Sequence, residues 1–197
     1  MPTRSFLALG DSYTIGEQVP LFESFPYRLV QMLRQKGLSF WAPEILAKTG
    51  WTTDELSAAM DLYSFLPEYD LVTLLIGVNN QYRGRTAENF DPEFNHLLDR
   101  AIQYAGGKKE NVFVLSIPDW GITPFAAGRD EQKIAEEINA YNTVCQSRSA
   151  EKGICFIDIT ASQRQDGRKA EFLAPDGLHP SALEYIKWAR TLAAKIS

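Results

Sequence analysis

The stretch Phe6-Leu-Ala-Leu-Gly-Asp-Ser12 decides the fold, because it joins a continuously apolar run to a glycine and two small polar residues. An apolar run without alternation is typical of a strand buried on both faces, as in a parallel sheet covered by helices. Three later runs have the same character: Leu71–Ile76, Val112–Ile117 and Ile154–Ile159. A fifth run, residues 40–47, contains Pro43, which cannot donate to a sheet ladder, so it is predicted to be an edge strand.

Segments with helical periodicity separate these runs. The predicted helices span residues 27–36, 53–60, 90–105 and 130–152, and a last one begins at Ser181. The Thr52/Glu55 and Ser181/Glu184 spacings both predict capping boxes. Strands and helices alternate along the chain, which predicts a three-layer α/β/α architecture with a five-stranded parallel sheet and right-handed crossovers. Since no repeat, low-complexity stretch or linker interrupts the alternation, residues 1–197 are predicted to form a single domain.

Composition narrows the classes of protein. The 197 residues are 45% hydrophobic and 23% charged, as in soluble globular proteins. The net charge of −5 argues against nucleic acid as a partner. No apolar run approaches the ~20 residues of a membrane span. Two histidines and two cysteines argue against a structural zinc site, and the chain carries no signal for an oligomeric state.

The compartment is predicted from the cysteines and the N-terminus. Cys145 and Cys155 cannot form a disulfide framework and are predicted to be reduced thiols in the core. Residues 1–4 lead directly into the first strand. They do not show the basic start followed by an apolar stretch that a secretion signal has. We therefore expect a cytoplasmic protein, unless a leader has been removed.

Polar residues follow the predicted strands at the places where ligands bind in such sheets. Ser12 follows the first strand, Gly50 the second and Asn79 the third, and Asp176 and His179 directly precede the last helix. The carboxyl ends of parallel strands share one edge of the sheet, so these residues are expected on one rim. A serine, a histidine, a carboxylate and amide donors are the groups that serine acyl chemistry requires.

These residues lie in four blocks that resemble those of the SGNH (GDSL-type) hydrolase family. The blocks are Gly10-Asp11-Ser12, Gly50, Gly77-Val78-Asn79 and Asp176-x-x-His179, in the family's order and spread over nearly the whole chain. The third block usually reads G-x-N-D, whereas Asn80 stands here in place of the aspartate. The serine is not in a G-x-S-x-G elbow, which argues against an ordinary α/β-hydrolase.

The resemblance implies a flavodoxin-like sheet and an ester hydrolase without a cofactor or metal. Ser12 would be the nucleophile, His179 the general base and Asp176 the group that orients the histidine. The N–H groups of Ser12 and Gly50 and the side-chain amide of Asn79 would form the oxyanion hole. Small-molecule carboxylic esters, lysophospholipids, acyl thioesters and acetylated sugars all fall within what the resemblance implies.

Two carboxylates compete for the role beside the histidine. On the residues alone, Asp158 at the end of the last strand is almost as good a candidate as Asp176, and the resemblance favours Asp176. Asp11 is assigned to the substrate site, where it is expected to brace the loop rather than act as an acid. His96 lies opposite the apolar stripe of its helix and is expected to be solvated.

Several loop side chains have two open interpretations. Trp51, Tyr82, Trp120 and Phe125 would line an acyl or sugar pocket, or would simply cover the core. Arg83 and Arg85 would meet an anionic substrate group, or would be solvated.

A rival interpretation is a non-catalytic flavodoxin-like domain that binds a phosphate or a glycan through its first loop. Such a loop does not require a histidine paired with an aspartate three residues earlier, and the sequence contains neither a P-loop nor G-x-G-x-x-G. The Asp176/His179 pair therefore favours the hydrolase.

Overall fold

Five strands pair in parallel in the computed structural model, which describes residues 2–196. They are β1 (Phe6–Asp11), β2 (Glu44–Lys48), β3 (Leu71–Leu75), β4 (Val112–Leu115) and β5 (Cys155–Ile157). The order across the sheet is β2-β1-β3-β4-β5. The predicted parallel sheet is confirmed, and β2 is an edge strand that starts directly after Pro43.

Within the described residues 2–196, eight α-helices connect and follow the strands. They are α1 (Ser12–Ile15), α2 (Phe25–Gln35), α3 (Thr53–Leu62), α4 (Val78–Tyr82), α5 (Ala87–Tyr104), α6 (Glu131–Lys152), α7 (Thr160–Asp166) and α8 (Ala182–Ala193). The five longest confirm the helices predicted from periodicity. The other three have four to seven residues, too few to show a helical period in the sequence.

One of the two predicted capping boxes forms. At α3 the backbone N–H of Thr52 donates to Oε2 of Glu55 at 2.9 Å, as predicted. At α8 the second prediction is wrong: Ser181 caps the helix by accepting from the N–H of Leu183, but Glu184 does not reach back. The Glu184 carboxylate is buried and accepts instead from the Trp188 indole at 2.9 Å and from a lysine ammonium. The buried tryptophan holds the carboxylate on the inner side of the helix.

Helices cover both faces of the sheet. Helix α2 packs against α8, while α5 packs against α3 and α6. Leu7, Leu9, Val72, Leu74 and Val114 of the central strands are completely buried between these layers. Strand β2, which follows β1 in the chain, pairs with one side of β1, whereas β3, β4 and β5 extend the sheet from its other side. The strand order therefore reverses beside β1. Ligand sites of open α/β sheets lie at this point, outside the carboxyl ends of the strands.

Two further sequence expectations concern the cysteines and membrane spans. Cys145 is buried in α6, Cys155 is half-buried in β5, and both are free thiols. Within residues 2–196, no helix combines the length and the apolar character needed to cross a lipid bilayer.

Candidate active site

The serine sits where β1 turns into α1. Asp11 is the N-cap of α1, and its Oδ1 accepts from the backbone N–H of Tyr13 at 3.0 Å. A Cβ on Gly10 would lie 2.1 Å from Oγ1 of Thr14, so no larger residue fits before this turn. The turn thereby places Ser12 at the carboxyl end of β1.

Asp11 supports this turn and does not line the cavity above it. Its side chain is 1% exposed, and among residues 2–196 its Oδ2 has no hydrogen-bond partner. Burial raises the pKa of Asp11 to about 7, although the hydrogen bond from Tyr13 works in the opposite direction. The expected bracing role is therefore supported by the contacts, whereas the assignment to the substrate site is not.

A tight hairpin before α8 carries the histidine and its carboxylate. It is closed by a hydrogen bond from the N–H of Ala174 to the carbonyl of His179 at 2.8 Å, and Gly177 makes the turn with φ +67°. Oδ1 of Asp176 accepts from the N–H groups of Leu178 and His179, both at 3.0 Å. This turn folds the carboxylate back onto its own histidine ring.

A continuous hydrogen-bonded chain joins Asp176, His179 and Ser12. Nδ1 of His179 lies 2.6 Å from Oδ2 of Asp176, and Nε2 lies 3.0 Å from Oγ of Ser12. The last distance shows that Ser12 and His179, which are 167 positions apart in the sequence, lie within hydrogen-bond distance. Burial alone would raise the pKa of Asp176, but hydrogen bonds from the His179 ring and two backbone N–H groups bring it below its usual value. A charged carboxylate favours the Nδ1–H tautomer, which leaves Nε2 free to accept the serine proton.

Asp158, the competing carboxylate, lies elsewhere. Its Oδ1 accepts from the backbone N–H of Ala161 at 3.1 Å and lies 3.3 Å from the Ser116 hydroxyl. The distances therefore favour Asp176 as the neighbour of the histidine. His96 is exposed on α5, as expected.

Two amide groups line the space beside Ser12, one in the loop after β2 and one in α4, which follows β3. Gly50 has φ +84°, a left-handed conformation that a side chain disfavours, and its N–H meets no protein acceptor within residues 2–196. Asn79 donates one of its two amide hydrogens to the carbonyl of Trp51 at 3.0 Å. The second hydrogen is left for a ligand oxygen.

A cavity of about 180 Å³ opens beside these groups. Ser12, Gly50, Asn79 and His179 all line it, and so do three of the four candidate aromatic residues, Tyr82, Trp120 and Phe125. The Trp120 ring lies edge-on to Tyr82, with centroids 5.2 Å apart, and to Phe125 at 6.1 Å. Trp51 packs against the core and does not line the cavity.

The two candidate arginines are already paired with protein groups. Arg83 donates to the carbonyl of Gly50 at 2.7 Å, and Arg85 donates to Asp54 at 2.6 Å. Neither of them lines the cavity beside Ser12. The Arg85 guanidinium lowers the pKa of Asp54 to about 2.

The side of the cavity formed by Tyr82, Trp120 and Phe125 is called the aromatic wall. The sequence did not predict the side chains that hold this wall. The Trp120 indole donates to Gln81 at 2.7 Å, and Gln81 in turn donates to Glu137 of α6 at 2.7 Å. The Arg129 guanidinium lies 5.0 Å from the Tyr82 ring centroid and 5.1 Å from that of Trp120. These contacts connect distant parts of the chain, and no local pattern signals them.

The model of the GDSL-like lipase/acylhydrolase family matches residues 8–185, which include all four blocks. The chain belongs to this family. Members of it are ester hydrolases, so the chain is an enzyme of that class. Among curated proteins no sequence matches it significantly.

Solved structures share the fold at low sequence identity. TesA is 17% identical with a TM-score of 0.76, and 98% of each chain is covered. A lipase/acylhydrolase from Enterococcus faecalis is 20% identical with a TM-score of 0.76, over 98% of this chain and 95% of that one. Axe2, an acetylxylan esterase from Geobacillus stearothermophilus, is 18% identical with a TM-score of 0.76, over 98% and 94%. These similarities establish the fold of this GDSL-like hydrolase. Its substrate has to be inferred from the geometry of the site.

Proposed function

We propose that this GDSL-like hydrolase cleaves small carboxylic esters through a Ser12–His179–Asp176 triad and an acyl-enzyme. The observation that carries the proposal is the hydrogen-bonded chain, 2.6 Å from Asp176 to His179 and 3.0 Å from His179 to Ser12. A serine hydroxyl is a weak nucleophile until a neighbouring base accepts its proton, and this chain supplies that base.

In the first half of the reaction, Oγ of Ser12 attacks the ester carbonyl while its proton moves to Nε2 of His179. The carbonyl oxygen becomes negative and accepts hydrogen bonds from Gly50 N–H, Asn79 Nδ2 and the N–H of Ser12, which begins α1. The C–O bond to the leaving alcohol then breaks, and His179 returns the proton to that alcohol.

In the second half, a water molecule replaces the alcohol. His179 takes one proton from the water as its oxygen attacks the acyl carbon. The bond to Ser12 then breaks, Oγ regains the proton, and the carboxylic acid leaves. Asp176 stays ionised throughout, consistent with its lowered pKa, and stabilises the imidazolium at each stage.

The size and character of the cavity favour a short acyl group. Its volume of about 180 Å³ is below the ~300–1,000 Å³ of pockets for drug-sized ligands. Trp120 is buried and its indole donates to Gln81, so the ring is fixed and the cavity does not widen on this side. We therefore place acetyl and other short acyl esters ahead of long-chain lipids.

The roles of Ser12 and Asp176 are tested together. Ser12→Ala should abolish hydrolysis of p-nitrophenyl acetate and labelling by a fluorophosphonate. Asp176→Asn should retain labelling but slow it strongly, by up to about 10⁴-fold if the ring loses its tautomer. Labelling of the Ser12→Ala protein at the wild-type rate would identify another nucleophile and overturn the assignment.

A series of p-nitrophenyl esters from acetate to decanoate tests the substrate class. We expect kcat/KM to be highest for acetate or propionate and to decline beyond butyrate, because the aromatic wall excludes further methylenes. A maximum at octanoate or longer would contradict a short acyl group and leave the triad assignment intact.

A second candidate within the family is a carbohydrate O-acetyl esterase. Tyr82 and Phe125 line the cavity and are 44% and 42% exposed, so their rings are open to stack on a sugar. Release of acetate from an acetylated sugar with a kcat/KM above that for p-nitrophenyl acetate would favour this candidate. No release would exclude it.

A further inference from the structure

The loop that carries Gly50 is held by α4 at two successive carbonyl groups. Nη2 of Arg83 donates to the carbonyl of Gly50 at 2.7 Å, and Nδ2 of Asn79 donates to the carbonyl of Trp51 at 3.0 Å. The donors are four residues apart, at the beginning of α4 and directly after its end. One short helix therefore fixes two neighbouring peptide groups of the loop after β2.

Glu55 holds the Arg83 side chain in place. Its carboxylate lies 3.3 Å from Nη1 of Arg83 and also accepts from the backbone N–H of Thr52 at 2.9 Å. Thr52 and Glu55 form the capping box of α3, so the carboxylate that binds the guanidinium is itself fixed to the first turn of a helix. Arg83 thus bridges the α3 N-terminus and the Gly50 carbonyl.

Gly50 needs such a restraint because a glycine is conformationally permissive. Its φ of +84° is one of several conformations that a glycine adopts at similar cost. The Trp51 N–H shares a peptide plane with the Gly50 carbonyl and donates to the carbonyl of Lys48 at 3.2 Å. Arg83 and the Lys48 carbonyl therefore hold this plane from its two sides. The free Gly50 N–H is attached to this plane through the glycine Cα, so holding the plane firmly limits the directions in which the N–H can point.

We propose that Arg83 is a positioning residue for ester hydrolysis, which aims the Gly50 N–H at the developing oxyanion by fixing the Gly50 carbonyl. The inference rests on the proposed function, in which the Gly50 N–H is an oxyanion donor. Hydrogen bonds of this kind stabilise the transition state only when the donor is already aimed at it. Loss of Arg83 should therefore lower kcat and leave KM almost unchanged.

Arg83→Met tests this, because it keeps most of the aliphatic stem and removes every donor. We expect kcat for p-nitrophenyl acetate to fall about tenfold or more, less than the 10²–10³ typical for loss of an oxyanion donor itself. Affinity for a trifluoromethyl ketone, which forms a tetrahedral oxyanion with the serine, should fall by the same factor as kcat/KM. Arg83→Lys, which retains one donor, should recover part of the loss.

Arg85→Met is the matched control. It removes an arginine two residues away that also pairs with the first turn of α3, through Asp54, but has no contact with the Gly50 carbonyl. We expect its kcat and its affinity for the ketone to stay near wild type. Equal losses in the two variants would reduce Arg83 to a structural role and overturn the proposal, as would an unchanged kcat in Arg83→Met.

The two levels of inference fail differently. If the wild-type enzyme is labelled at Ser12 by a fluorophosphonate and Arg83→Met retains full kcat, the positioning role is wrong and the triad stands. If the wild-type enzyme is neither labelled nor able to cleave any ester of the series, the proposed function is wrong and the role of Arg83 falls with it.

Discussion

At the scale of single residues, the contacts of Asn80 explain why an asparagine replaces the usual aspartate of the third block. The side chain is completely buried, and its Oδ1 accepts from the backbone N–H of Thr53 at 3.1 Å. Its Nδ2 donates to the Thr53 hydroxyl at 2.6 Å and lies 3.4 Å from the carboxylate of Glu93. An aspartate could still accept from the Thr53 N–H, but its second oxygen would face an oxygen of Glu93.

We predict that Asn80→Asp destabilises this enzyme, although it restores the family's usual residue. Burial and the nearby Glu93 carboxylate both oppose the new charge, so the free energy of unfolding should fall by about 3 kcal/mol, as for a buried charge without a partner. Urea unfolding at pH 8 measures the loss. In the Glu93→Gln background the same substitution should cost clearly less. An equal cost in both backgrounds would show that Glu93 is not the cause.

The proximity of the proposed catalytic residues can be predicted from the sequence because each lies in a short local block. Ser12, Asp176 and His179 meet as predicted, since the order of strands and helices leaves them on one rim. The supporting contacts of Asn80 and Arg83 were not predictable in the same way. They depend on residues 13 or more positions away in the chain, whose direction is set by packing rather than by a local pattern.

At the scale of elements, two single turns after β4 build the wall of the cavity. The 3₁₀ turns Trp120–Ile122 and Pro124–Ala126 carry Trp120 and Phe125. The N–H of Phe125 donates to the carbonyl of Gly177 at 3.1 Å, in the hairpin that carries His179. The wall and the base are therefore parts of one connected rim, and an alteration of the wall should change selectivity more than chemistry.

We predict that Phe125→Ala shifts the preferred ester toward longer acyl chains. The ring is 42% exposed, so its loss should open the cavity without a large loss of stability. The ratio of kcat/KM for hexanoate to that for acetate should rise at least about tenfold, within the range that a methylene in an apolar pocket contributes. Phe22→Ala is the control, since Phe22 is 56% exposed and does not line the cavity. A similar ratio in both variants would remove Phe125 from the acyl site.

Elements differ in how far the sequence predicts them. The five strands and five long helices follow from apolar runs and periodicity, and their ends fall within a few residues of the predicted ones. The short helix α4 and the 3₁₀ turns were not predicted, yet they position Asn79, Trp120 and Phe125. Elements of one turn lack a periodic signal, and in this enzyme they surround the cavity.

At the scale of the whole molecule, one buried carboxyl group couples the fold to pH. Asp11 is 1% exposed at the end of β1, and burial raises its pKa to about 7. In the unfolded chain an aspartate has a pKa near 3.9. Between these values the folded protein binds more protons than the unfolded chain, so the contribution of Asp11 to stability is complete below about pH 4 and is lost as the pH rises through 7.

We predict that Asp11→Asn removes this dependence and becomes stabilising relative to wild type at high pH. The amide keeps an oxygen for the Tyr13 N–H and carries no charge to desolvate. The difference in unfolding free energy between variant and wild type should increase by on the order of 2 kcal/mol from pH 5 to pH 8. Urea unfolding at several pH values measures it, with Glu110→Gln, which removes an exposed carboxylate, as the control. A difference that stays constant across this range, or that changes equally for Glu110→Gln, would show that Asp11 is ionised in the folded protein at pH 5.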